Sequence, residues 1–97
     1  MQIIWTKEAL ADLDYHITWY LTHASIEVSQ KFSKKIEESL INIQNNPYGA
    51  RTSLYFSELR EYVLHKYPYI ISYYVNDSEI ILTSIIHQKR EHFNRGL

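Results

Sequence analysis

The first five residues, "MQIIW", are short, apolar and β-prone, and Thr6 behind them is a side chain that caps helices. Leu10, Leu13, Ile17, Tyr20 and Leu21 then recur three and four apart, which predicts one helical stripe; Asp12 and Asp14 lie off it. "THAS" interrupts the pattern, and Ser25 is placed to cap a second helix. Val28, Phe32, Ile36, Leu40 and Ile43 are spaced 4, 4, 4 and 3, with Lys31, Lys34, Lys35, Glu37 and Glu38 on the flanks. "NNPYG" ends this helix, because Pro47 has no N–H to donate and Gly49 tolerates positive φ. Two helices with a short link predict an antiparallel helical hairpin.

The period changes after residue 50. "SELREYVLH" alternates in part, with Leu59, Val63 and Tyr62 predicted to face inward. "YIISYYV" and "EIILTSII" are strands by composition, and "NDS" between them has hairpin-turn chemistry. The predicted order is β-α-α-β-β-β. It is an α+β fold: an N-terminal helical hairpin packed on one face of a mostly antiparallel four-stranded sheet. Residues 88–97 read as a polar tail.

Composition narrows the classes. Ninety-seven residues are expected to form one domain, and 45% hydrophobic with 14% aromatic residues is a globular composition. Without cysteine the chain has no disulfide framework and no thiolate metal site. His16, His23 and His65 are scattered, which predicts no metal centre, and two glycines, Gly49 and Gly96, cannot make a phosphate-cradling loop. No apolar run reaches membrane-span length and residues 1–20 lack a signal-peptide layout, so a cytoplasmic protein is expected. The net charge of −1 argues against a surface that grips nucleic acid throughout. Charge is uneven, however. Residues 1–49 carry four Lys against six carboxylates, and residues 50–97 carry six Lys and Arg against five. In residues 87–97 alone the balance is three to one, so Lys89, Arg90 and Arg95 form a local positive cluster.

Five pieces carry a resemblance: "IIWTKEALADLDYHITWY", "NPYGAR", "LREY", "YPYIISYYV" and "IILTSIIHQKRE". In this order and spacing, over nearly the whole chain, they resemble the RelE/ParE superfamily of toxins from type II toxin–antitoxin pairs. The resemblance implies a small α+β toxin of the plasmid-stabilisation type, neutralised by a cognate antitoxin commonly encoded beside it. It implies no cofactor, no membrane, and contact with operator DNA only through the antitoxin. The superfamily holds two activities. RelE-like members cleave mRNA on the ribosome; ParE-like members inhibit DNA gyrase.

Metal-free RNA cleavage needs a group to activate the 2′-OH, cations to stabilise the phosphorane and an acid for the leaving oxygen. The RelE-like reading would draw these from His87, Arg60, Arg51 and Arg90. RelE-like chains typically carry an arginine three positions before the tyrosine matching Tyr73; here that place is Ile70, beside Tyr69. ParE-like chains have an apolar or aromatic residue there, so the resemblance leans toward gyrase inhibition. The mRNA endonuclease remains the alternative, with an inactive, antitoxin-binding member as a third reading.

Each candidate also has a plain structural role. His87 can be an acid or base near pH 7, or simply close a strand end by hydrogen bonding. Arg60 between two glutamates and Arg51 in a loop can be paired cations, and Lys89 and Arg90 can serve solubility. As target or antitoxin contacts the expected set is Arg60, His87, Lys89 and Arg90. Glu58 and Glu61 are possible bases in an RNase, though each has an arginine close by. Of the nine tyrosines, Tyr62, Tyr69, Tyr73 and Tyr74 fall on predicted strands, where packing is the expected role.

Overall fold

The computed structural model describes residues 1–88. In chain order these form β1 (Gln2–Trp5), α1 (Lys7–His23), α2 (Ile26–Asn45), β2 (Arg51–Thr52), β3 (Arg60–Val63), β4 (Tyr69–Asn76) and β5 (Glu79–His87). They build a helical hairpin and a five-stranded sheet ordered β1-β5-β4-β3-β2. The α+β class is as expected. The sheet is mixed and has one strand more than four, because the two-residue β2 pairs antiparallel with β3 at its edge. β1 runs parallel to β5, with Trp5 opposite Leu82, and the other pairs are antiparallel.

Both predicted N-caps form. Thr6 Oγ1 accepts from Ala9 N–H at 3.2 Å, and Ser25 Oγ accepts from Val28 N–H at 3.1 Å. The Thr6 hydroxyl also donates to the Leu82 carbonyl at 2.7 Å, which ties the start of α1 to β5. Asn45 is the last residue of α2, just ahead of Pro47. Gly49 does not have positive φ. A Cβ there would instead collide with the side-chain amide of Asn46, so the glycine gives room to that side chain. Asp77, at φ 56°, makes the two-residue turn between β4 and β5.

The α1 stripe is rotated from its predicted position. Ala9 and His16 are buried and Leu13, Ile17 and Tyr20 pack against the core, whereas Leu10 and Leu21 are about half exposed. Asp12 is not off the working face: its Oδ2 accepts from the Ile85 N–H at 2.9 Å. In α2, Phe32, Ile36 and Ile43 are buried and Leu40 packs beside them; Val28 lies at the exposed end of the stripe. In β3 Tyr62 packs inward and Val63 does not, since neighbouring strand residues face opposite ways. Tyr69, Ile71 and Tyr73 of β4 meet the helices, with Phe32 at the centre of an aromatic group that includes Tyr20, Tyr67 and Tyr69. A bulge interrupts the β4–β5 register at Ser72/Tyr73, and Thr83 Oγ1 bridges it by donating to the Ser72 carbonyl at 3.0 Å. No helix among the described residues is long and apolar enough to cross a membrane.

Candidate functional site

β5 outruns its parallel neighbour. β1 ends opposite Leu82, so the backbone of Ile85 faces α1 where a strand partner would lie. Two helix side chains four residues apart, one turn along α1, take that partner's place. Asp12 accepts from the Ile85 N–H, and His16 Nε2 lies 2.6 Å from the Ile85 carbonyl, to which it donates in the matching tautomer. The His16 ring is enclosed by Tyr15, Phe32 and Tyr69. The sequence reading missed this clamp. Its only local signal was the spacing of four, which does not name the strand atom being met.

His87 ends the same strand. It pairs with Tyr69, and the two rings meet edge to face at 5.4 Å, so the imidazole sits half-buried at the rim of the helix-facing core. Arg60 pairs with Tyr73 on this same face. Tyr69 and Tyr73 are four residues apart, roughly 13 Å along the strand. His87 and Arg60 flank β4 on opposite sides, so buried Ile71 and Ile85 separate them.

Arg60 is occupied locally. Its Nη1 donates to the Tyr48 and Ala50 carbonyls at 2.8 and 3.0 Å, and its guanidinium lies 5.2 Å from the Tyr48 ring centre. Next to it the Tyr73 hydroxyl donates to the Pro47 carbonyl at 2.6 Å. Together the two side chains pin the α2–β2 connector to the sheet. Burial pushes the Tyr73 phenol above its ordinary pKa, and the nearby Arg60 charge opposes that rise.

Arg51 lies across the sheet. It pairs with Glu61, the neighbour of Arg60, and therefore faces the other side; its Nε donates to Glu61 Oε1 at 2.9 Å. Ile70 also lies on that side, buried to 3% exposure between Val63 and Ile86, so no cation stands at that position. Lys89 and Arg90 lie outside the described residues. Among the described residues, Arg51, Arg60 and His87 do not converge, and no three His, Asp or Glu side chains group as metal ligands.

Two exposed features had no forecast. Tyr15 and Trp19 stand outward on α1, followed by His23, whose ring stacks on Trp19 at 4.6 Å. In the β2–β3 loop Leu54, Tyr55 and Phe56 are 91%, 66% and 59% exposed. An open pocket of about 370 Å³ adjoins this loop, lined by Phe56, Glu58, Leu59 and Tyr74. Three consecutive apolar residues between serines was the available signal.

Comparison with known proteins agrees with the described fold. A family model described as the ParE toxin of the type II toxin–antitoxin system, parDE, matches residues 3–92. A solved structure of the chromosomal ParDE toxin–antitoxin system from P. aeruginosa is similar, with a TM-score of 0.80 and 26% sequence identity. The match covers 90% of this chain and 95% of that one. No curated protein matches the chain.

Proposed function

The chain belongs to the ParE toxin family of type II toxin–antitoxin systems, and from that premise we propose that it inhibits DNA gyrase by binding, and that a cognate antitoxin neutralises it. The observation that carries this reading is the dispersal of the described cationic candidates. A metal-free ribonuclease must bring an acid or base and phosphate-neutralising cations to one phosphate. Here Arg60 is held by loop carbonyls, Arg51 is paired with Glu61 on the opposite face, and His87 is at the far end of the sheet.

The surface of α1 supports contact with a protein. Tyr15, Trp19 and His23 are spaced four and four, which makes one aromatic ridge rather than scattered side chains. Aromatic residues of this kind dominate the energetics of protein interfaces. The cytoplasm, where gyrase and ribosomes are found, is the compartment this reading requires.

The test follows labelled thymidine and labelled amino-acid incorporation side by side after induced expression in a bacterial host. DNA synthesis failing first, with translation intact, is the expected result. Protein synthesis stopping first overturns the gyrase reading and makes His87, Arg51, Arg60 and Arg90 candidates for mRNA cleavage. If neither falls, the chain is an inactive member that binds its antitoxin without attacking the host.

A further inference from the structure

Arg60 is fixed through one nitrogen and open at the other two. Its Nη1 donates to the Tyr48 and Ala50 carbonyls, whereas Nε and Nη2 have no partner among the described residues. Neither nitrogen is sealed from water: among the described residues the buried side-chain polar atom without a partner is Ser84 Oγ. The Nε and Nη2 N–H groups lie on one side of the guanidinium and form its fork, the edge that takes both oxygens of a carboxylate. The carbonyls that hold Nη1 fix the aim of that fork, so little rotamer freedom is left to lose on binding.

No carboxylate among the described residues fills the fork. Glu58 and Glu61 are close to Arg60 in sequence, yet the ion pair that forms is Arg51–Glu61, on the other face of the sheet. Arg60 is half-buried and lies 5.2 Å from the Tyr48 ring centre, so its charge is partly withdrawn from water with no acid to balance it. Thr52 stands opposite Arg60 in the β2–β3 pairing and so shares its face, at the spacing of about 5 Å between directly opposed side chains. Its exposed hydroxyl is uncommitted among the described residues.

The ligand's chemistry follows from these groups. The fork and the hydroxyl supply donors for one flat anion, and the exposed Tyr48 ring borders the site with an apolar surface. A phosphate would call for a second cation, and Arg51 faces away. We propose that Arg60 Nε and Nη2, together with Thr52 Oγ1, form a receptor for an acidic side chain of a protein partner, its methylene stem lying against Tyr48. The site is on β2 and β3 rather than on the α1 ridge, and it stands whether or not gyrase is the target.

The test follows the Arg60 Nε–Hε and Thr52 amide signals of the isotope-labelled full chain by NMR, at constant ionic strength. The probes are N-acetyl-glutamate amide, its uncharged glutamine counterpart, acetate and inorganic phosphate. Expected are saturable shifts of both signals with the glutamate derivative and none with the glutamine derivative. Acetate, which lacks the stem, should bind about threefold more weakly. Arg60→Lys removes the fork and should weaken glutamate binding about fivefold. Thr52→Val leaves Arg60 and its loop bonds in place and should weaken it about threefold. Absence of saturable shifts, equal shifts with the glutamine derivative, or parental affinity in either variant would overturn the proposal. So would acetate binding as tightly as the glutamate derivative, which would make this a site for any small carboxylate, or phosphate binding more tightly, which would make it a phosphate site.

Discussion

Asp12→Ala tests whether helix side chains complete the end of the sheet. Ile85 is buried, three residues past the last β1 pairing, and its N–H has the Asp12 carboxylate at 2.9 Å. A hydrogen bond to a charged acceptor contributes about 1.5–3 kcal/mol, and leaving a buried donor without a partner costs about 1–3 kcal/mol. These describe the same loss from two sides, so they do not add, and about 2 kcal/mol is expected. That is a substantial part of the roughly 5–15 kcal/mol that stabilises a domain. It corresponds to a Tm lower by about 8–16 °C at this chain length. The assay is urea unfolding, where the midpoint should fall without a change of slope. Amide exchange gives a residue-level reading, because the Ile85 amide should lose protection while Ile71, its partner in β4, keeps it. Asp12→Asn retains an acceptor without the charge and should lose about half as much. A loss below about 0.5 kcal/mol with Ile85 still protected would refute the clamp, leaving the β4–β5 ladder alone to hold the strand end.

Phe32→Ala empties the centre of the aromatic group and should cost about 3–5 kcal/mol in denaturant unfolding; a loss under about 1 kcal/mol would contradict its burial. Tyr73→Phe removes the donation to Pro47 and should cost about 1 kcal/mol at neutral pH. The raised Tyr73 pKa means the folded state holds the phenol proton more tightly. Its stabilising contribution is therefore complete below the unfolded value near 10 and is lost as pH rises through the higher folded value. Unfolding measured from pH 9 to 11 should decline faster for the parent than for Tyr73→Phe, and equal slopes would contradict the assignment. Arg60→Ala should cost about 1–2 kcal/mol by releasing the Tyr48 and Ala50 carbonyls. Arg60→Lys should recover little of this, since an ammonium lacks the fork and the flat stacking surface. Full stability with lost toxicity would instead make Arg60 a partner contact.

What the chain declares by itself is local. Thr6 and Ser25 each accept from an N–H three residues on, and Asp77 turns between adjoining strands, so the information and the contact share a few residues. The α2 stripe was legible because Phe32, Ile36, Leu40 and Ile43 recur four, four and three apart on one side, even though Ile26 and Ile41 are exposed. The α1 stripe was legible only in part: Leu13, Ile17 and Tyr20 pack on the core but Leu10 and Leu21 do not, because large apolar residues occur around much of that helix. Only packing selects small Ala9 over Leu10, and only a strand carbonyl 69 residues away gives His16 a reason to be buried. The parallel β1–β5 pairing is likewise a long-range choice, and two residues of β2 are too few to show a period. The same holds for the candidate site. Sequence could name Arg60 and His87 as polar groups of one sheet, whereas Arg51, expected in a loop, stands on the two-residue edge strand β2. It could not assign them to faces, because a shift of one residue in register exchanges the two sides. The observed pairing puts Arg51 against Glu61, Arg60 beneath a loop, and His87 at the opposite end. That separation belongs to the tertiary structure, since faces and distances exist only once strands distant in the chain have paired.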